Sequence, residues 1–265
     1  MRVISLTTDF GMKDGNVGAM KGVILKICPE VQIADLSHLI SPQNIAEAAL
    51  IVSRAAPYFP EGSVHIIVVD PGVGTVRRPI AARLGDQFYV APDNGVLTPI
   101  LEKAEMKKQA IEFVHLDRPE YWLPTISNVF HGRDIFAPSG AHLACGVPLN
   151  RLGTAIHDPV RIEIPRPEQT AKGLRGQVIH IDHFGNIHTN ILDEHLNGKA
   201  GVEVEIGEVQ LSGLVKTFGE LPPGELGALF GSSGNLIIAV TNGNAAQQIG
   251  AAVGEEVRVI YRPGS

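Results

Sequence analysis

Val64 to Val69 is a short, β-branched and almost wholly apolar run that ends abruptly in Asp70-Pro71-Gly72-Val73-Gly74-Thr75, with Arg77 and Arg78 close behind. Such a run reads as a buried strand. A carboxylate at the C-terminal end of a buried strand, followed by a Pro/Gly turn, sits where open α/β sheets place their ligand crevices. Asp70 and Arg77 lie on opposite arms of the turn, so they can face each other. Taken alone, the stretch also fits a strand-end turn with a solvated Asp and two surface arginines.

The flanking chain repeats the design. Val3 to Thr7 reads as a first buried strand ending in Thr7-Thr8-Asp9-Phe10-Gly11, so Asp9 is a second strand-end carboxylate. Val17 to Ile27 carries apolar residues at helical spacing and is stopped by Pro29. Val31 to Leu36 is a further strand. Ser41-Pro42 predicts an N-cap with proline at the first helical position, and Ile45, Ala48, Ala49 and Val52 then share one helix face. Gln87 to Ala91 is a strand, and Asp93-Asn94-Gly95 a turn. Strands alternating with helices predict an α/β domain with a mostly parallel sheet flanked by helices. Beyond this, Phe130-His131-Gly132-Arg133-Asp134 forms another dense polar cluster before an apolar segment; its bland reading is a helix entry with a solvated Arg/Asp pair.

Asp158 to Lys172 holds three prolines and several charges and reads as a linker. After it the period shortens to strands separated by Gly-rich turns, at Val178–Ile181, Val202–Leu211, Leu236–Val240 and Val257–Tyr261. That pattern predicts a small all-β domain, a barrel. The expected division is 1–157 for the α/β domain, 158–173 for the linker and 174–265 for the barrel. Within the barrel, His180, Asp182, His183 and His188 match no metal-ligand spacing. Phe218, the Phe230-Gly231-Ser232-Ser233-Gly234 turn and Asn242-Gly243-Asn244-Ala245 add an aromatic and neutral hydrogen-bonding groups.

The 265 residues suffice for two modest domains, and 44% hydrophobic content fits a real core. Lysine and arginine total 22 against 28 acidic residues, a net charge of −6, and no basic run stands out. A nucleic-acid or anionic-membrane surface is therefore not expected. No apolar stretch reaches membrane length and none resembles a signal peptide, so the expected location is cytoplasmic. Cys28 and Cys145 fit a reducing compartment as small core residues, with no disulfide.

Together, Thr8-Asp9-Phe10-Gly11, Asp70-Pro71-Gly72-Val73-Gly74 with Arg77, Asn94-Gly95, His131-Gly132-Arg133-Asp134, Asp182 with Phe184-Gly185-Asn186, and Phe230-Gly231-Ser232-Ser233 resemble the S-adenosyl-L-methionine (SAM) hydroxide adenosyltransferases. These are relatives of the SAM-dependent chlorinases and fluorinases. The resemblance covers nearly the whole chain. It implies an N-terminal α/β domain, a C-terminal β-barrel and a homotrimer with SAM bound at subunit interfaces. It implies a catalytic set falling on Asp70, Arg77 and His131. It places substrate contacts at Asp9, Asp14, Asn16, Asp182, Phe184, Asn186, Phe218, Ser232, Ser233 and Ala245. Asn16 and Ser233 depart from the family, where many relatives carry an aromatic and an Arg. The fluorinase has a Tyr where Asp70 stands and another at His131. A carboxylate at the nucleophile's place repels a halide, so the resemblance points to water as nucleophile, with adenosine and L-methionine as products.

Expulsion of a neutral thioether needs no general acid, so no metal and no cofactor are expected. Two other readings stay open at this point: a SAM or adenosine binding module without turnover, and a metal-dependent nucleoside hydrolase, which shares the strand-Asp-Pro-Gly feature.

Overall fold

A computed structural model describes residues 2–197 and 199–262. The chain divides into two compact units, one ending at Glu163 and the other starting at Ile164. Among the described residues, no helix is long and apolar enough to cross a membrane.

The first unit runs β1 (Val3–Thr8), α1 (Asn16–Ile27), β2 (Gln32–Ser37), α2 (Ile45–Ala55), β3 (Val64–Val68), β4 (Pro79–Leu84), β5 (Gln87–Pro92), α3 (Thr98–Met106), β6 (Ile111–His115), α4 (Ala137–Ala144) and β7 (Thr154–Ala155). Its strands form one mixed sheet, β2-β1-β3-β5-β4-β6-β7. Pairings among β2, β1, β3 and β5 are parallel; those linking β5, β4, β6 and β7 are antiparallel.

Strand alternation sends side chains to two faces. Ile4, Leu6, Val64, Ile66 and Val68 pack with Met20 and Ile24 of α1 and Ala137 and Ala141 of α4. Ile67, Val69, Ala82 and Tyr89 pack with Ala48, Ala49 and Val52 of α2 and Ile100 and Leu101 of α3. Covering both faces is what permits a parallel arrangement. Each fully buried Ile or Leu contributes roughly 1.5–3 kcal/mol.

The start of α2 differs from the sequence expectation. Asn44, not Ser41, is the N-cap, and its Oδ1 accepts from the Glu47 backbone N–H at 3.0 Å. Glu47 reaches back to accept from Ser41 N–H at 2.9 Å. The helix cannot begin at Pro42 because Gln43 is left-handed, with φ of 65°. That turn delivers the Gln43 N–H to Asp9.

The expected linker begins as part of the first unit. Arg78 bonds Asp158 at 2.9 Å, Val160 N–H bonds Asp93 at 2.8 Å, and Ile162 N–H bonds Thr98 Oγ1 at 3.0 Å.

The second unit holds β8 (Glu168–Gln169), β9 (Gly173–Ile181), β10 (Ile187–Leu192), β11 (Ala200–Ile206), β12 (Val209–Ser212), β13 (Leu226–Phe230), β14 (Asn235–Val240), α5 (Ala245–Ile249) and β15 (Glu256–Arg262). The path β12-β11-β15-β9-β10-β14-β13 is antiparallel throughout and curls into a nearly closed barrel. Val178, Ile187, Ile191, Val204, Leu236, Ile238 and Val257 fill it.

The cysteines overturn their expectation: Cys28 and Cys145 form a disulfide. Cys28 caps the C-terminus of α1 and Cys145 that of α4. These helices share a face of the sheet, which brings the two Cα atoms to 5.8 Å, within disulfide reach. Their sequence separation of 117 gives no hint of the pairing. Closing so long a loop removes much unfolded-state entropy, about 4–5 kcal/mol in the loop-closure model. The Cys28→Ser/Cys145→Ser double variant is expected to lose stability on that scale in urea unfolding; an unchanged midpoint would exclude a stabilising bridge.

Candidate active site

The order β2-β1-β3 sends the chain to opposite sides of β1, so the topological switch point lies between β1 and β3. Ligands of open α/β sheets bind outside the carboxyl ends of strands at such a point. The register aligns Thr8 with Val68, which sets Asp9 level with Val69, so Asp9 and Asp70 both leave adjacent strands at the same carboxyl edge of the sheet.

Asp70 opens a tightly bonded loop. Its carbonyl accepts from Val73 N–H at 3.2 Å, and the Gly72 carbonyl accepts from the Thr75 hydroxyl at 2.7 Å. Thr75 Oγ1 in turn accepts from Arg77 N–H at 3.3 Å. Gly74 has φ of +76°, and a Cβ there would stand 2.4 Å from the Asn128 carbonyl oxygen. Only glycine fits both the conformation and the close approach. Asn94 braces the strand end by donating to the Val69 carbonyl at 2.9 Å.

The loop folds Arg77 back onto Asp70. Nε donates to Oδ1 at 3.0 Å and Nη2 to Oδ2, a bidentate pair. Both side chains are largely buried, at 7% and 5% exposure. The guanidinium also lies 5.3 Å over the Phe136 ring.

His131 is the third member. It precedes a π-helical turn, Gly132–Phe136, that runs directly into α4. Gly132 sits deep, with Phe10, Val68 and Met20 within 3.4 Å of where a Cβ would stand. His131 Nδ1 is 3.2 Å from Arg77 Nη2. Arginine only donates, so Nδ1 accepts and the neutral ring carries its proton on Nε2. Burial and then the Arg77 charge hold the His131 pKa below its ordinary value, outweighing the opposing pull of Asp70 and Asp134. Arg77 Nη1 is buried and has no hydrogen-bond partner among the described residues.

In the neighbouring Arg133–Asp134 pair only Arg133 is solvated, at 38% side-chain exposure; the carboxylate is structural. Asp134 is fully buried and accepts from Arg133 at 2.6 and 3.1 Å and from Ser127 N–H at 2.8 Å. It thereby fixes the segment before His131. Asp9 lies at the same sheet edge, with Oδ2 accepting from Gln43 N–H at 2.8 Å. Asp14 is exposed in the loop before α1, and Asn16, also exposed, opens that helix. Thr8, quoted in the sequence only as part of the Asp9 motif, and His38, which sequence reasoning passed over, stand behind Asp9, joined at 2.9 Å. The available signal was position: His38 follows a strand end just as Asp9 and Asp70 do.

The remaining candidates lie in the second unit. Asp182 organises the β9–β10 turn. Oδ1 accepts from Phe184 N–H and Asn186 N–H, both at 2.9 Å; Oδ2 accepts from Asn186 Nδ2 at 2.8 Å and faces His188 Nε2 at 3.2 Å. Burial pushes the carboxyl up, but the bonds from Asn186 and His188 outweigh it and hold it low. The turn is docked on the Asn244–Ala245 segment, where Ala246 N–H donates to the Gly185 carbonyl at 2.9 Å. A Cβ on Gly185 would collide with Asn244. Phe184 is 72% exposed and Phe218 45%. Phe218 is tied to the far end of β14 by Thr241, whose hydroxyl donates to its carbonyl at 2.7 Å. Ser232 and Ser233 are exposed in the β13–β14 turn, at the opposite end of β14. The unit thus presents two groups of candidates at the two ends of one strand. Among the described residues, no group of three or more His, Cys, Asp or Glu side chains is arranged to hold a metal ion.

Comparison with known proteins reproduces this division. Residues 4–153 match the family model for the SAM hydroxide adenosyltransferase N-terminal domain, and residues 176–258 that for its C-terminal domain. A protein of Salinispora tropica named (R)-S-adenosyl-L-methionine hydrolase is 39% identical, with 97% of each chain covered. One of the same name from Thermus thermophilus is 38% identical, covering 98% of this chain and 100% of the relative. A fluorinase of an Actinoplanes species is 33% identical over 76% of this chain and 74% of its own. The crystal structure of a conserved protein from Thermotoga maritima superposes with a TM-score of 0.87 at 34% identity, covering 98% of this chain and all of that one.

The turn geometry predicts opposite behaviour for two nearby glycines. At Gly72 the closest approach to an added Cβ is an ordinary 3.4 Å contact with Arg77, so Gly72→Ala should change stability by less than about 0.5 kcal/mol. Gly74→Ala should cost on the order of 1–3 kcal/mol from backbone strain and the clash with Asn128. Chemical denaturation of both variants checks this, and equal midpoints would contradict it.

Proposed function

Because the chain belongs to the SAM hydroxide adenosyltransferase family, we propose that it is an enzyme that hydrolyses SAM to adenosine and L-methionine. Water attacks C5′ in line with the C5′–S bond. The observation that carries this reading is the buried Asp70–Arg77–His131 set, with one guanidinium nitrogen still unspent.

The chemistry follows from the groups. The leaving group is a neutral thioether, so the difficult partner is the nucleophile. Arg77 Nη1 and the His131 Nε2–H are donors suited to an oxygen that is gaining hydroxide character. With Nδ1 engaged by Arg77, neutral His131 donates to the water and does not take its proton. That proton leaves through Asp70, whose oxygens each retain an acceptor position. An anion meeting a sulfonium loses charge in the transition state, so a dry site favours the step. No metal or cofactor enters.

In the binding part of this reading, Asp9 accepts from the ribose hydroxyls. Phe184 and Phe218 cover adenine faces with the aromatic surface they leave exposed, and Asn186 meets its edge; Ala245, expected to touch substrate, is instead fully buried in the barrel core and supports that turn. Ser232 and Ser233 take the methionine carboxylate, with Asp14 and Asn16 at the same end of the substrate. Asp182, whose four acceptor positions are filled by its own loop and which lies at the other end of β14 from Ser232 and Ser233, serves the site by holding Phe184 and Asn186 in place. The assembly is a homotrimer in which the first unit of one subunit and the second unit of its neighbour share each site. The enzyme acts on neither nucleic acid nor membrane.

Incubation with SAM in ¹⁸O-water should give methionine and adenosine carrying the label at its 5′ oxygen, with no effect of a chelator. His131→Ala should abolish adenosine formation while SAM binding persists; Asp70→Ala should abolish it too, with SAM binding weakened by the unpaired Arg77 charge. Because the His131 pKa lies below its ordinary 6.5, the neutral ring survives to lower pH. The acid-side fall in rate should therefore have its midpoint below pH 6.5. Normal turnover by both variants, or a midpoint at or above 6.5, would refute the assigned roles.

A further inference from the structure

We infer that Thr8 and His38, backed by Asp35 and Lys21, are the positioning residues that aim the Asp9 carboxylate and so set the recognition of a vicinal diol. The inference rests on the reading of Asp9 as the ribose acceptor.

Asp9 is clamped from both sides and from its own tip. Thr8, the last residue of β1, is fully buried, and its Oγ1 lies 2.9 Å from His38 Nδ1. The same oxygen accepts from Phe10 N–H at 3.2 Å, across Asp9. The His38 carbonyl accepts from Gly11 N–H at 2.8 Å. Gln43 N–H then holds Asp9 Oδ2 at 2.8 Å, and Oδ1 makes no hydrogen bond with the described residues.

Behind this clamp the groups are ordered by polarity. The Thr8 hydroxyl has one proton. Accepting from Phe10 N–H leaves it a second lone pair as well as its proton, so it can take either role toward His38 Nδ1; Asp35 beside His38 Nε2 favours the ring proton on Nε2, and Nδ1 then accepts from the Thr8 hydroxyl. His38 Nε2 stands 3.0 Å from Asp35 Oδ1, within ion-pair reach though off the line of a good hydrogen bond. Asp35 Oδ2 is paired with Lys21 Nζ of α1 at 2.6 Å. The chain of contacts therefore ties α1, β2 and β1 together on the β2 side of the switch point. His38 is only 4% exposed. Burying a polar pair where two apolar side chains would pack as well costs desolvation, and what it returns is direction. A carboxylate that must meet two adjacent hydroxyls together tolerates little rotation, so direction is what this site needs.

The test compares binding of adenosine and 2′,3′-dideoxyadenosine by calorimetry, using the full chain. Wild type should prefer adenosine by on the order of tenfold or more, the scale of hydrogen bonds to a charged group. Asp9→Ala sets the value for a lost acceptor. Thr8→Val and His38→Leu should collapse the preference toward that value while dideoxyadenosine binding is unchanged. Thr8→Ser and His38→Asn, which keep a polar atom in place, should retain it. Equal weakening of both nucleosides in Thr8→Val would mean loosened structure, and unchanged selectivity would mean no role; either overturns the inference. If Thr8→Val does not fold, the His38 pair is judged by the same criterion. A wild type that does not distinguish the two nucleosides refutes the ribose reading of Asp9 itself, and the inference with it.

Discussion

A guanidinium removed from water needs partners for its donors, and the first unit is arranged around meeting those of Arg77, all but Nη1. Asp70 takes two of its donors, His131 Nδ1 shares one, and the Phe136 ring lies against its face. Removing one partner of a buried ion pair costs about 3–5 kcal/mol, so each partner's backbone has to be fixed in advance. The left-handed turn at Gly74 returns Arg77 to Asp70. The π-helical turn after His131 and the buried Asp134 beneath it hold the ring and the segment 123–127. These devices are local departures from regular structure that coincide with the site, the usual place for them.

The same logic separates what was legible in the residues from what was not. Strand-end carboxylates at Asp9 and Asp70 were visible because a buried apolar run that stops at an Asp and a Pro/Gly turn has few alternatives. The two-part architecture was visible in the change of period near residue 170. The antiparallel additions β4, β6 and β7 were not, since a short apolar strand carries no mark of direction. The start of α2 was misplaced because Ser41-Pro42 has good local capping chemistry, whereas the left-handed Gln43 serves a distant residue, Asp9. The disulfide was hidden for a related reason: two helix ends meet only after both helices have packed on one sheet face. The partners of His131 came from family resemblance; neither its direction of hydrogen bonding nor the burial of Asp134 can be read from spacing.

The two units divide the proposed work by physical type. The first supplies fixed charge in buried surroundings. The second supplies exposed aromatic surface and neutral hydrogen-bonding groups, carried on turns whose polar atoms are already occupied. Asp182 shows the distinction: its four acceptor positions are filled by its own loop, so its main effect is to hold Phe184 and Asn186 in place. Rigid turns that carry unspent aromatic faces lower the ordering cost of binding.

Charge balance in the set also suits a cationic substrate. Two unit charges 4 Å apart interact by about 4 kcal/mol at an effective dielectric constant of 20. An unpaired Arg77 would therefore oppose the approach of a sulfonium as strongly as it favoured hydroxide. Asp70, bound bidentately, cancels the charge as seen from a distance and leaves the short-range donors intact. A nucleophile in hydrogen-bond contact with Nη1 meets a donor, whereas a sulfonium several ångströms further away meets a nearly neutral pair. Placing the Asp at the strand end and the Arg on the returning arm of one turn achieves both within a single loop, which is why the proposed site rests on that loop and not on either residue alone.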